Sequence, residues 1–155
     1  MKNLVLILAL FIGNIYSLEM KPIRDLYNSL EKEASTYIYF ANRCSGLYLN
    51  IARMINEQKD IKDKYTLDAT NLITVSRIFL EKTTDLNVLQ SQINTQKEIK
   101  TFEEKYSKAS DEEFYSTGTR TTKMMADDLI MCQPMVKEFL EIIPDELLIK
   151  EIPKS

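Results

Sequence analysis

Apolar residues recur at alternating steps of four and three along the first third of the chain: Ile23, Tyr27, Leu30, Ala34, Tyr37, Ala41, Cys44, Tyr48, Ile51 and Ile55. That spacing lays one continuous apolar stripe along a helix. Pro22 suits a first helical turn, where its missing N–H costs nothing. Asn28 followed three residues later by Glu31 is a second, box-like start signal. The segment therefore reads as one helix to about Gln58 or as a short helix leading into a long one. Glu31, Lys32, Glu33, Arg43 and Arg53 fall off the stripe, which assigns them to a solvated face.

The polar stretch Gln58 to Asp63 carries the first connection. A second helix follows, with Tyr65, Ala69, Leu72, Ser76, Phe79 and Thr83 on one face. Thr83-Thr84-Asp85 is a break, with Asp85 as the next N-cap; the alternative joins the second and third runs into one helix. The third run, from about Leu86 to Ser107, is nearly all polar between Gln90 and Lys100 and is expected to be the most exposed. Ser110-Asp111-Glu112-Glu113 reads as a helix start, with a capping Ser, a Glu at the box position and carboxylates against the positive end of the dipole. Phe114, Gly118, Thr121, Met125, Cys132, Val136, Phe139 and Ile143 mark the fourth stripe. Gly118 is a point of interruption, Pro134 kinks the helix and Pro144 ends it.

Four amphipathic runs joined by short connections predict an all-α fold, an antiparallel four-helix bundle running up, down, up, down. Sustained heptads also accommodate a homodimer. Aromatic and small residues mixed along the seam fit a globular core better than a uniform Leu zipper. Only three Gly and four Pro interrupt the chain, which agrees with long helices.

The first residues follow a different pattern. Lys2 precedes the unbroken apolar run Leu4 to Ile12, and Gly13-Asn14 breaks it before Ile15-Tyr16-Ser17. A charge, a short apolar core and a small-residue exit are the signature of a secretory signal peptide. The run is too short to span a bilayer, which takes about 20 residues as a helix. The expected organisation is a signal peptide over 1–17, one helical domain over 18–143, and a tail over 144–155 that adds up to one helical turn. The mature chain of about 140 residues is the size of one ordinary domain. It carries a formal charge of −4, one less than the −3 of the whole chain because Lys2 is lost. Mild acidity suits solubility and not nucleic acid. No Asn-x-Ser/Thr sequon occurs, which leans toward a bacterial periplasmic protein over a eukaryotic secreted one.

Export changes the meaning of the two cysteines. Cys44 lies on the stripe of the first helix and Cys132 on that of the last, and in a bundle these helices can be neighbours. An oxidising compartment favours a bridge. Closing a loop of about 90 residues stabilises by about 4–5 kcal/mol in the chain-entropy model. No C-x-x-C is present, which argues against exchange-type redox chemistry.

The chain has no His. That removes Ser-His-Asp and Cys-His catalysis, Glu-x-x-His di-iron sites, His-ligated haem and nearly all zinc enzymes. The acidic pairs Glu103-Glu104, Glu112-Glu113 and Asp127-Asp128 point about 100° apart on a helix and do not converge on one ion, so they read as solvated faces or capped termini. Gly118-Thr119-Arg120-Thr121-Thr122-Lys123 matches no P-loop and reads as a polar turn. Tyr37, Tyr39, Phe40 and Tyr48 cluster on the first helix, and Met124, Met125, Met131 and Met135 on the last. If the two helices pair, Tyr37, Tyr48 and Met125 become contact residues for a small apolar ligand or a partner helix, against the simpler reading of core packing.

These observations favour an exported, non-enzymatic binding module that meets another exported protein. The expectation includes no cofactor, no metal, no nucleic acid and no membrane span after signal removal. A small-molecule carrier with a cavity between the first and last helices is the main alternative, and a carboxylate hydrolase the last.

Overall fold

The computed structural model describes residues 20–27, 33–55 and 57–150, and the statements below concern those residues. They fold into helices with no strand among them. A short α1 (Ile23–Tyr27) is followed by α2 (Ala34–Met54), α3 (Lys59–Thr83), α4 (Val88–Thr117) and α5 (Lys123–Glu141), and a single 3-10 turn spans Asp145–Leu147. The short-then-long reading of the first third is the correct one. The Asn28–Glu31 box and the signal segment 1–17 lie outside the described residues, as do 151–155.

Most boundaries differ from the sequence expectation, each for a local reason. Polar Lys59 to Asp63 is the exposed first turn of α3, not a connection, because a helix start tolerates charge when no core lies against it. The third helix opens at Asn87, not Asp85. The Asn87 Oδ1 accepts from the Gln90 N–H at 2.9 Å and the Asn87 N–H donates to Gln90 Oε1 at 3.1 Å, a complete capping box. The largest correction is at Ser110, which starts no helix. It sits inside the 30-residue α4, and its Oγ donates to the Arg120 carbonyl at 2.6 Å. The break comes at Gly118, whose φ of 79° is the left-handed terminator and whose N–H donates to the Phe114 carbonyl. Thr122 then caps α5, its Oγ1 accepting from the Met125 N–H at 3.1 Å. The α5 helix runs through Pro134.

Helix α2 packs most extensively on α3 and α4. Helix α5 lies against both α2 and α3, and α1 rests on α5. Between Phe40 and Tyr48 every α2 residue is buried. An apolar stripe implies one buried face, but this stretch is enclosed on all sides. Most of its polar groups find partners inside, although the Asn42 Oδ1 accepts no hydrogen bond among the described residues. Ser45 Oγ donates to the Ala41 carbonyl at 2.7 Å, and Asn42 Nδ2 to Glu98 Oε2 at 2.5 Å. Gly46 marks a close approach of α2 to α4: a Cβ placed there would lie 2.6 Å from the Phe102 Cβ.

Cys44 on α2 and Cys132 on α5 form a disulfide, with Cα atoms 5.6 Å apart and both residues fully buried. It ties the first and last of the long helices. The tail after α5 is held by Asn71 on α3, whose Nδ2 donates to the Ile149 carbonyl at 3.0 Å and whose Oδ1 accepts from the Ile149 N–H at 2.8 Å. No described helix is long and apolar enough to cross a membrane.

Candidate functional site

The most concentrated polar chemistry is buried. Arg43 on α2 and Asp128 on α5 form an ion pair at 2.6 Å with both side chains fully enclosed. Spacing along the chain assigns Arg43 and the Asp127-Asp128 pair to solvated faces, but the packing of α1, α2, α4 and α5 encloses Arg43 and Asp128. Arg43 Nε donates to the Tyr106 hydroxyl at 3.1 Å, Nη1 to the Tyr39 hydroxyl at 3.0 Å, and Nη2 to the Lys21 carbonyl at 2.5 Å. Asp128 accepts from the Tyr106 hydroxyl at 2.5 Å and, through Oδ1, from the Ile23 N–H at 2.6 Å. The result is a clamp in which α2, α4 and α5 together hold the N-terminal segment by its main chain. Burial works to lower the Arg43 pKa, but Tyr106, Asp128 and Tyr39 outweigh it and leave the guanidinium above its ordinary value. Burial drives the Tyr106 hydroxyl well above its usual range. Both groups therefore keep one protonation state at physiological pH, which suits a fixed structural network and not proton transfer. Asp127 turns the other way: the hydrogen bond from Lys123 holds its carboxyl below the usual range.

Tyr37, Tyr48 and Met125 are packing residues. Tyr48 and Met125 are buried in the core, and Tyr37 is half-buried between Phe79 and Phe139. Tyr48 lies against Tyr65, and burial raises its hydroxyl pKa, with Asp68 adding to the shift.

Two surface features stand apart from the core, and both lie on α4. At its start, Val88, Leu89 and Ile93 are 58%, 65% and 54% exposed. Leu89 and Ile93 share a face at i, i+4 with Val88 beside them. Together they form one exposed apolar patch at the start of the helix. Around them Gln90, Gln92 and Gln96 are neutral and exposed, and the exposed Lys97 lies four residues past Ile93 on the same face. At the other end, a cleft of about 330 Å³ opens between the end of α2 and α4, lined by Asn50, Arg53, Ser107, Ser110, Asp111 and Arg120 among others. Neither feature was legible as a site from the sequence. The exposed row resembles the start of a buried stripe, and the cleft joins residues more than 50 positions apart.

Among the described residues no group of three or more metal-ligating side chains gathers. No protein family, curated protein or solved structure matches the chain.

Proposed function

We propose that this protein is exported and works by binding another exported protein, with the first turns of α4 as its contact surface. The observation that carries the reading is the exposed apolar row Val88, Leu89 and Ile93 at the start of α4. Surface apolar residues scattered singly need no explanation, but three contiguous ones do. Surroundings that are mostly neutral, with Lys97 at the edge, favour a partner with an apolar groove and a polar rim over a charged polymer. Export is supported by the disulfide, since such bonds persist in oxidising compartments. The burial of Tyr48 and Met125 in the core supports a contact surface over a carrier cavity between α2 and α5.

The finer architecture belongs to the same proposal. The connections 55–58, 84–87 and 118–122 span at most about 22 Å, while helices of 19 to 30 residues are roughly 28–45 Å long. Each long helix must then start near the end of the one before it, which supports an up-down-up-down course with α2 at the centre.

A photoreactive residue replacing Gln92 tests the surface in the native compartment. The expected result is one cross-linked partner that also binds the purified protein. Leu89→Glu with Ile93→Glu should weaken that binding about tenfold or more without lowering the melting temperature. Unchanged affinity in the double variant, or a partner that cross-links equally from an α3 position, sinks the proposal. Self-association through the same row would appear in sedimentation as a dimer that the double variant abolishes, and would replace the heterologous partner.

A further inference from the structure

We propose that the cleft between the end of α2 and the second half of α4 binds the free C-terminal carboxylate of a peptide. The inference does not depend on the apolar row, which lies about 25 Å away along α4 at the rise of a helix. Its starting point is Asn50. This residue lines the cleft and is fully buried, and its Nδ2 has no acceptor among the described residues. The amide cannot simply be reversed, because Oδ1 already accepts from Arg53 Nη2 at 2.9 Å. A buried donor left unpaired is costly, and an acceptor arriving from outside would remove that cost.

The rest of the cleft is suited to supplying a charge partner for such an acceptor. Arg53 spends one N–H on Asn50 and makes no ion pair among the described residues. Its planar fork suits a carboxylate, with two parallel N–H donors matching two oxygens. Arg120 on the facing wall is already paired with Asp111 and lies over the Phe114 ring at 4.7 Å, so it is held in place. Two guanidiniums against one carboxylate leave one net positive charge. That matches a monoanion and disfavours a phosphate, whose second charge would face Asp111.

The shape extends the argument from a carboxylate to a chain. Arg53, Ser107 and Asp111 also line a second, more open groove of about 470 Å³ that continues along α4 past Lys100, Glu103, Glu104, Lys108 and Glu112 to Tyr115, so that beyond the Arg53–Arg120 end its walls are on balance acidic. The groove carries both signs of charge and ends at an aromatic ring that is 88% exposed. Mixed polarity beside an open Tyr accommodates a peptide main chain and one apolar side chain. A carboxylate seated on Asn50 and Arg53 would therefore leave the preceding residues lying in this groove.

Amide NMR titration of the purified protein tests this with four probes: N-acetyl-tetraalanine as the free acid, the same peptide as its C-terminal amide, acetate and inorganic phosphate. The free acid is expected to shift the Asn50 side-chain N–H2 and the Arg53 Nε–H saturably. The amide and acetate should bind about tenfold more weakly or worse, the loss expected for one charge-assisted hydrogen bond or for the chain contacts. Arg53 is exposed, so Arg53→Gln should fold normally and lose at least about tenfold in affinity for the acid. Equal binding of acid and amide, acetate as tight as the peptide, tighter binding of phosphate, or undiminished binding by R53Q would each overturn the proposal.

Discussion

Gly46→Ala sets two effects of opposite sign against each other, and the structure says which wins. In the middle of a helix Ala is favoured over Gly by about 1 kcal/mol, so on an exposed face the substitution would stabilise. Gly46 faces α4. The new Cβ would lie 2.6 Å from the Phe102 Cβ, 2.9 Å from the Glu103 backbone N and 3.1 Å from the Ile99 carbonyl O. All three atoms belong to the α4 main chain or are fixed directly to it, so no rotamer change relieves the clash and the helices must separate by about 1 Å. A gap of that size forfeits a quarter to a half of the local dispersion energy, here around the buried Phe102 and Ile99. Overpacking with main-chain displacement costs about 3 kcal/mol at the upper end of its range. Subtracting the propensity gain leaves a net loss of about 2 kcal/mol, which lowers the melting temperature by about 6–10 °C in a domain of this size. Urea unfolding followed by far-UV circular dichroism should show a lower midpoint with an unchanged slope. Gly118→Ala is the control. It has open space around the added Cβ but a φ of 79°, so its cost is conformational, about 1–2 kcal/mol. A G46A protein as stable as the parent, or more so, would refute the close crossing of α2 and α4.

Asp128→Ala should destabilise by about 3–5 kcal/mol because it strands a buried guanidinium, whereas Arg43→Met combined with Asp128→Leu should recover much of the loss; equal stability of the single and double variants in urea would show that the pair is not buried as described. The same D128A variant frees the Ile23 N–H, so limited trypsin digestion should cut at Arg24 faster than in the parent. Burial raises the pKa of Asp68, and Lys64 only partly opposes it. The folded state then disfavours the ionised form: the penalty is absent below the ordinary carboxylate pKa of 3.8 and develops as pH rises through the folded value. Asp68→Asn should accordingly be more stable than the parent at about pH 7 and lose that advantage near pH 3, and a gain that is independent of pH would count against the burial argument. Replacing Cys44 and Cys132 together by Ala should cost up to about 4–5 kcal/mol, while alkylation of the native, unreduced protein should label no thiol.

Periodicity carried the helical class of this protein a long way. The stripe from Ile23 to Ile55 anticipates α1 and α2, and the placing of Cys44 and Cys132 on the first and last stripes anticipates the disulfide between α2 and α5. Such features follow from local spacing and from the pairing of the only two thiols, so no tertiary knowledge is needed. The helix ends were less legible, because a cap signal is a property of four residues and not of the fold. Ser110 with Glu113 has every local mark of a start. It became helix interior because the chain found a better terminator at Gly118 and because Ser110 could reach the Arg120 carbonyl.

What the tertiary structure alone decided was which polar residues go inside. Arg43 lies off the stripe, and nothing in its neighbourhood distinguishes it from Arg53. Only the enclosure of α2 by α3, α4, α5 and the segment before α1 turns one into a buried clamp and leaves the other at the rim of a cleft. Asp128 differs from Asp127 in the same way: one step along a helix rotates the side chain by about 100°, from Lys123 and solvent to Arg43, Tyr106 and the Ile23 amide. Spacing along a chain determines which residues share a face, whereas burial depends on what packs against that face from distant sequence. For this protein the stripes follow from the first. The Arg43–Asp128 clamp, the exposed start of α4 and the Asn50–Arg53 cleft follow from the second.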